Sequence, residues 1–149
     1  MIKPVSHDKL TLPQPVTRPF ADKIFEVMED WVLEEGIPGH RLIVKKGFLF
    51  DGASIPRIFW LTTGYPMAPG FQAAGLGHDA AYAAELLTRK MADDVFHWCL
   101  RQDGVNAYTA YKMWLGVRIG GWRPWGRHTP ESIADARELC ILEPLTVPA

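Results

Sequence analysis

A chain of 149 residues, 48% hydrophobic and 22% charged, can bury the core of one domain and has the composition of an ordinary globular protein, which argues against disorder. Its formal net charge of -1 argues against a nucleic-acid binder, although Gly104 to Pro130 holds Lys112, Arg118, Arg123 and Arg127 and no Asp or Glu, a local basic region. Cys99 and Cys140 lack CxxC spacing and so imply neither a zinc ribbon nor a disulfide framework.

The first residues, MIKPVSHDKLTLPQP, contain no apolar stretch of signal-peptide type, and no apolar run approaches the ~20 residues that span a bilayer. The expected location is therefore the cytoplasm, unless a larger assembly carries the protein elsewhere. Pro4, Pro13, Pro15 and Pro19 make residues 1–20 an extended arm, expected to be either unstructured or docked on a partner.

The run IFEVMEDWVLEE, residues 24–35, is ambiguous: helical spacing groups Ile24, Val27, Met28 and Trp31, whereas alternation groups Phe25 with Val27 and Trp31 with Leu33. The following RLIVKKGFLF is short and β-branched and comes after the turn Gly36-Ile37-Pro38-Gly39. The two segments are read as strands of a small antiparallel sheet. In FDGASIPRIFW, Asp51-Gly52 signals a turn and Ser54 is placed to cap a short helical turn that tolerates Pro56. Residues 62–71, TTGYPMAPGF, read as a Gly/Pro loop.

From Gln72 the pattern is helical. Ala73, Gly77 and Ala81 recur every four residues, a smooth face that another helix could approach closely. Thr88 is an N-cap signal for a second helix, RKMADDVFHWCLRQ, ended by Gly104, with Asp93, Phe96, His97 and Leu100 on one face. Asn106 caps a third helix that runs to Gly120-Gly121. Tyr108, Tyr111, Trp114, Leu115 and Val117 make this helix apolar on more than one face, so it is expected to be largely buried. The tail carries one more short helix at 130–139 and an extended end. The expected fold class is α+β, a small antiparallel β-sheet from the N-terminal half packed on a bundle of about three α-helices. Along the chain this gives an extended arm at 1–20, a single globular domain at 21–128 and a C-terminal extension at 129–149.

The chemistry concentrates in GLGHDAAYAA, residues 75–84, where His78 and Asp79 interrupt a run of small residues. In a helix His78 and Tyr82 lie one turn apart on one face, while Asp79 is rotated by about 100° and does not face His78. The partner of His78 must then come from elsewhere, and Asp93 and Asp94 on the adjacent antiparallel helix are the candidates. This arrangement assigns His78 as general base on a water and Asp93 as its orienting carboxylate. Asp79 is left to help bind a cation, with carbonyls of the 62–71 loop (Gly64 to Gly70) as further oxygen donors of the kind calcium prefers. A second metal reading gathers His78, Asp79, Asp93 and His97 around a transition metal, with Asp93 and His97 at i, i+4. The plain alternative to both is a buried hydrogen-bond network. Likewise the Asp51–Ser54 stretch is fully explained as a turn and cap, and Arg57 and Arg89 as partners for carboxylates. Trp122 and Trp125 among Arg118, Arg123 and Arg127 suit lipid headgroups or nucleic acid, or simply cover the end of a helix bundle.

Four segments in this order, LIVKKGFLFDGASIPRIFW, AAGLGHDAAY, RKMADDVF and MWLGVRIGGWRPW, resemble a phage and prophage family catalogued as a domain of unknown function, over roughly residues 24–126. The resemblance picks out Asp51, Ala53, Ser54, Pro56, His78, Asp79, Tyr82, Arg89, Ala92 and Asp93, and so favours Asp93 over Asp94. It implies phage or prophage origin, other phage proteins as partners, and a place in the host cytoplasm or the virion. More distantly, the HDAAY helix followed by an AD helix is similar to secreted and parvoviral phospholipases A2. That likeness implies a water-activating His78, an orienting Asp93, Tyr82 beside them, and calcium at Asp79 with Gly64 and Gly70 in the place of a calcium loop. The Gly-rich calcium loop and disulfides of the secreted enzymes are not recognisable here. Two functions follow from different classes: a calcium-assisted hydrolase of lipid or envelope esters, or a non-enzymatic tail or baseplate component in which His78, Asp79 and Asp93 form a structural network.

Overall fold

In the computed structural model the described residues are 5–22, 24–50 and 69–146. The Asp51-Gly52 turn, the Ser54 cap, Pro56, Arg57 and Gly64 lie outside them. Among the described residues, six strands and five α-helices make an α+β fold. The strands are β1 (Thr17–Ala21), β2 (Ile24–Val27), β3 (Trp31–Leu33), β4 (His40–Val44), β5 (Leu49–Phe50) and β6 (Cys140–Pro144). The helices are α1 (Gln72–Ala83), α2 (Arg89–Gln102), α3 (Ala107–Gly120), α4 (Trp122–Gly126) and α5 (Pro130–Arg137).

The strands form two antiparallel sheets of three, ordered β1-β2-β5 and β3-β4-β6, where the sequence suggested one. The division falls inside the 24–35 run. Its polar centre, Glu29-Asp30, is a turn in which Asp30 Oδ1 accepts from the Lys46 amide at 2.9 Å, so the chain leaves one sheet and enters the other. On β3, Trp31 and Leu33 face inward and pair with Val44 and Leu42 of β4, giving the alternation of a half-buried strand. Pro19 is tolerated because β1 is an edge strand. The C-terminal segment pairs with the other side of β4, Leu142 opposite Leu42. Ile141 and Leu142 are only half-buried, so β6 has little of the alternation that marks a strand in sequence.

The 5–20 segment docks on its own chain. Asp103, at the C-terminal end of α2 and fully buried, accepts from the Thr11 and Leu12 amides (3.0 and 2.9 Å) and from Gln14 Nε2 (2.9 Å). Trp31 Nε1 donates to the Pro13 carbonyl at 2.7 Å.

The helix boundaries follow from capping chemistry. Thr88 Oγ1 accepts from the Met91 amide at the start of α2, and Asn106 Oδ1 from the Thr109 amide at the start of α3. Gly104, at φ +86°, closes the C-terminal end of α2. Helix α1 has no side-chain N-cap. Its stability comes from burial on nearly all sides, with Ala73, Ala74, Leu76 and Ala80 fully enclosed. Gly77 brings α1 against the β3-β4-β6 sheet: a Cβ there would sit 3.6 Å from Trp31 and 3.9 Å from Leu33. The smooth face of α1 therefore meets strands at this point, not the second helix. The expectation of a largely buried third helix also needs correction. One face of α3, with Thr109, Ala110, Met113 and Val117, is buried, while Tyr108, Tyr111, Leu115 and Ile119 are exposed on the other. Apolarity on two faces of a helix does not decide which of them finds a partner.

Candidate functional site

Helices α1 and α2 pack side by side, and their contact encloses His78 and Asp93, which are 2% and 0% exposed. His78 Nε2 lies 2.7 Å from Asp93 Oδ1. A carboxylate can only accept, so Nε2 carries the hydrogen and donates it. The second carboxylate oxygen, Asp93 Oδ2, accepts from Arg118 of α3 at 2.8 Å, with Arg89 3.9 Å from the same oxygen. Arg89 is held in place by donating to the Arg118 carbonyl at 3.0 Å. One buried carboxylate thus ties three helices, and Arg118 offsets its charge.

The other ring nitrogen, His78 Nδ1, has no hydrogen-bond partner among the described residues. Its neighbour is Asp79 Oδ1 at 3.9 Å, a distance for Coulomb attraction rather than a hydrogen bond. Burial disfavours the charged imidazole, but the Asp79 and Asp93 carboxylates outweigh it and hold the His78 pKa above the usual value. Phe96 and Tyr82 pack on the ring, with centroids 5.1 and 4.4 Å away.

Asp79 and Tyr82 border a cleft of about 330 Å³ between α1, the strands β2 and β5, and α4 with the segment after it. Ile24, Phe48, Leu49, Phe50 and Pro124 supply its apolar lining, and His128 is on its rim. The His78 ring itself lies behind this wall. The Tyr82 ring stacks edge-on against Trp125 at 5.0 Å, while its hydroxyl sits against Gly121 at the end of α3 with no hydrogen-bond partner among the described residues. Burial pushes the Tyr82 pKa up, against the opposing pull of Arg89.

His128 was not singled out by the sequence reading. Its Nδ1 is 2.9 Å from Glu85 Oε1, a His–carboxylate pair at the mouth of the same cleft. Glu85 holds an unusual backbone, φ +44°, and Arg137 braces it by donating to the Ala84 and Glu85 carbonyls at 2.8 and 3.3 Å. No sequence spacing joins residues 85, 128 and 137. Arg118 was also read otherwise, as part of a basic surface. A carboxylate that must be buried requires a cation, and that requirement was the available signal.

The remaining residues are dispersed. Gly70, at φ +96°, packs against Val5 and Val105 ahead of α1, whereas Asp79 lies within that helix. Asp94 pairs with Lys90 at 2.7 Å and accepts from Trp114 Nε1 at 3.0 Å, away from His78. His97 borders a separate groove with Asp94, Tyr111 and Trp114. Among the described residues no three His, Cys, Asp or Glu side chains are grouped as a metal would require. Cys99 and Cys140 are free and buried; burial raises both thiols, Cys140 to about 12.

An α+β fold whose helix pair encloses a His–Asp contact beside an apolar cleft is the class that fold and site define. The chain belongs to the family described as "Protein of unknown function (DUF1353)", whose model matches residues 25–117. That span runs from Phe25 in β2 through β5, α1 and α2 to Val117 in α3, and so includes both His78 and Asp93. The chain is also 31% identical over 100 residues to "Uncharacterized protein y4jT" of Sinorhizobium fredii. The match takes up 66% of this chain and 29% of that protein, so the chain spans less than a third of the relative's length. No solved structure matches the chain.

Proposed function

We propose that the protein is a phage-encoded hydrolase in which His78 activates water for attack on an ester of a lipid or another envelope component. The observation that carries this reading is the asymmetry of the His78 ring: Nε2 is fixed by Asp93 at 2.7 Å, and Nδ1 has no hydrogen-bond partner among the described residues. A general base needs one nitrogen held and the other able to take a proton. On this reading substrate entry parts the wall that covers the ring, and Nδ1 of the neutral ring then removes a proton from water as its oxygen attacks the ester carbonyl. Asp93 and Arg118 keep the ring in the productive tautomer, and the proton on Nδ1 then passes to the departing alkoxide. The apolar lining of the cleft beside Asp79 and Tyr82 suits the acyl portion of a lipid ester. Phage or prophage origin rests on the resemblance of the four sequence segments.

Calcium belongs to this reading only through Asp79. The described residues offer one carboxylate there and not a cage, so no step is routed through the ion. Release of fatty acid from mixed phospholipid vesicles, with calcium or with chelator, tests the reading. Wild type is expected to release product above background and His78→Gln to release none. Background release by both, with and without calcium, would reject it.

One observation favours a second reading, a structural component of a phage tail or baseplate. The His78–Asp93–Arg118 cluster is enclosed and links three helices, as a network selected for rigidity would. On that reading His78→Ala lowers the melting temperature strongly and no ester is cleaved.

A further inference from the structure

Helix α3 presents an apolar stripe to solvent. Tyr108, Tyr111, Leu115 and Ile119 are 71%, 53%, 38% and 64% exposed. Their spacing of three, four and four residues keeps them within an arc of about 80° on the helix, opposite the buried face with Met113 and Val117. Lys112 flanks the stripe and lies over the Tyr108 ring at 5.0 Å. From Val105 to Thr129 the chain holds no acid, and while Arg118 is engaged by Asp93, Lys112 is left as the cation of the stripe. On the neighbouring helix α2, Asp94 is occupied by Lys90 and Trp114. The stripe therefore has an apolar centre flanked by one cation, Lys112.

Three occupants fit such a face: a second copy of this chain, a nucleic acid or an anionic lipid surface. A second copy is disfavoured by charge and by area. Lys112 lies near the middle of the stripe, so an antiparallel α3–α3 contact would set it close to its own symmetry mate with no acid on α3 to pair either. Side chains of this size expose on the order of 400 Å² per copy at these fractions, so two copies would bury less than the ~1,200 Å² of a stable interface. Nucleic acid would use the cation and rings but has no place for Leu115 and Ile119. A bilayer surface uses all of them: aliphatic side chains enter the acyl boundary, tyrosines sit at headgroup depth, and Lys112 meets anionic lipid.

We propose that the α3 face docks the protein peripherally on an anionic lipid surface. The inference stands apart from the hydrolase reading, because binding can be measured without turnover. The test is flotation of the full chain with phosphatidylglycerol or phosphatidylcholine vesicles, for wild type, Leu115→Glu/Ile119→Glu, Lys112→Glu and His78→Gln. The first three side chains to be changed are partly or largely exposed, and circular dichroism checks that each variant folds. Wild type and His78→Gln are expected to float with phosphatidylglycerol at least tenfold more than with phosphatidylcholine. Leu115→Glu/Ile119→Glu is expected to lose at least tenfold, and Lys112→Glu to lose less and to be less salt-sensitive. Equal flotation with both lipids, or no change in the folded double variant, would overturn the proposal. So would a wild-type dimer in sedimentation that the double variant dissolves, or tighter binding to an oligonucleotide than to phosphatidylglycerol.

Discussion

Asp93 Oδ2 accepts a hydrogen bond from Arg118 at 2.8 Å, so the carboxylate that holds His78 is itself held from a third helix. The relationship makes Arg118 a positioning residue rather than a surface cation. Removing one partner of a buried pair leaves a charge uncompensated, which costs about 3–5 kcal/mol. Arg118→Ala is accordingly expected to lower the unfolding free energy in urea by about 3 kcal/mol, and Arg118→Lys by less. A loss under about 0.5 kcal/mol, the level of an ordinary surface substitution, would show that Arg118 does not serve Asp93.

The contact between Tyr82 and Gly121 predicts a steric effect. Gly121 has an ordinary φ of −76°, open to any residue, yet a Cβ there would collide with the Tyr82 hydroxyl and the Val117 carbonyl. Gly121→Ala is expected to destabilise by about 1–3 kcal/mol, as overpacking does, and to shift the Tyr82 absorbance. At Gly126 a Cβ meets nothing within 4 Å, so Gly126→Ala serves as the control and is expected to be neutral or slightly stabilising. Equal melting temperatures for both variants would contradict the packing described at Gly121.

The thiols give a third prediction. Burial raises Cys140 to about 12 and Cys99 higher still, so neither forms thiolate near neutral pH. Native protein should react with neither equivalent of a thiol reagent at pH 8, and denatured protein with both. Fast labelling of the native fold would show that one of these side chains is reachable.

The pH dependence of stability follows from His78. Its folded pKa is raised above 6.5, so its ion-pair contribution is full below 6.5 and is lost as pH rises through the folded value. With chelator present, the stability difference between wild type and His78→Gln should be largest on the acid side and shrink as the solution turns alkaline. A difference that grows with pH would mean that His78 is neutral throughout.

Much of this was legible in the sequence where local chemistry sets the structure. Thr88 and Asn106 fixed the starts of two helices because their side chains satisfy amides that the helix leaves open. Because adjacent helical residues do not face each other, the partner of His78 had to come from the next helix, which offers Asp93 and Asp94, and the family resemblance singled out Asp93. What depended on distant segments was not legible. The split into two sheets turns on Asp30 meeting Lys46, the docking of the arm on Asp103, and the position of His128 on Glu85. Each is a pairing over 16 to 92 residues that leaves no periodic mark. The exposed face of α3 was missed for the opposite reason. Its local pattern was clear, but whether an apolar face is buried is decided by what packs on it.

The most direct measurement of the central claim is turnover of a soluble short-chain phospholipid, held below micelle formation so that docking on a surface plays no part. Wild type and His78→Gln are compared at matched folded concentration; Gln can still donate to Asp93 but cannot accept a proton from water. The account predicts turnover by wild type and a drop of about 100-fold or more in the variant, the range for loss of a general base. The same rate in both proteins, or none in either, would contradict it.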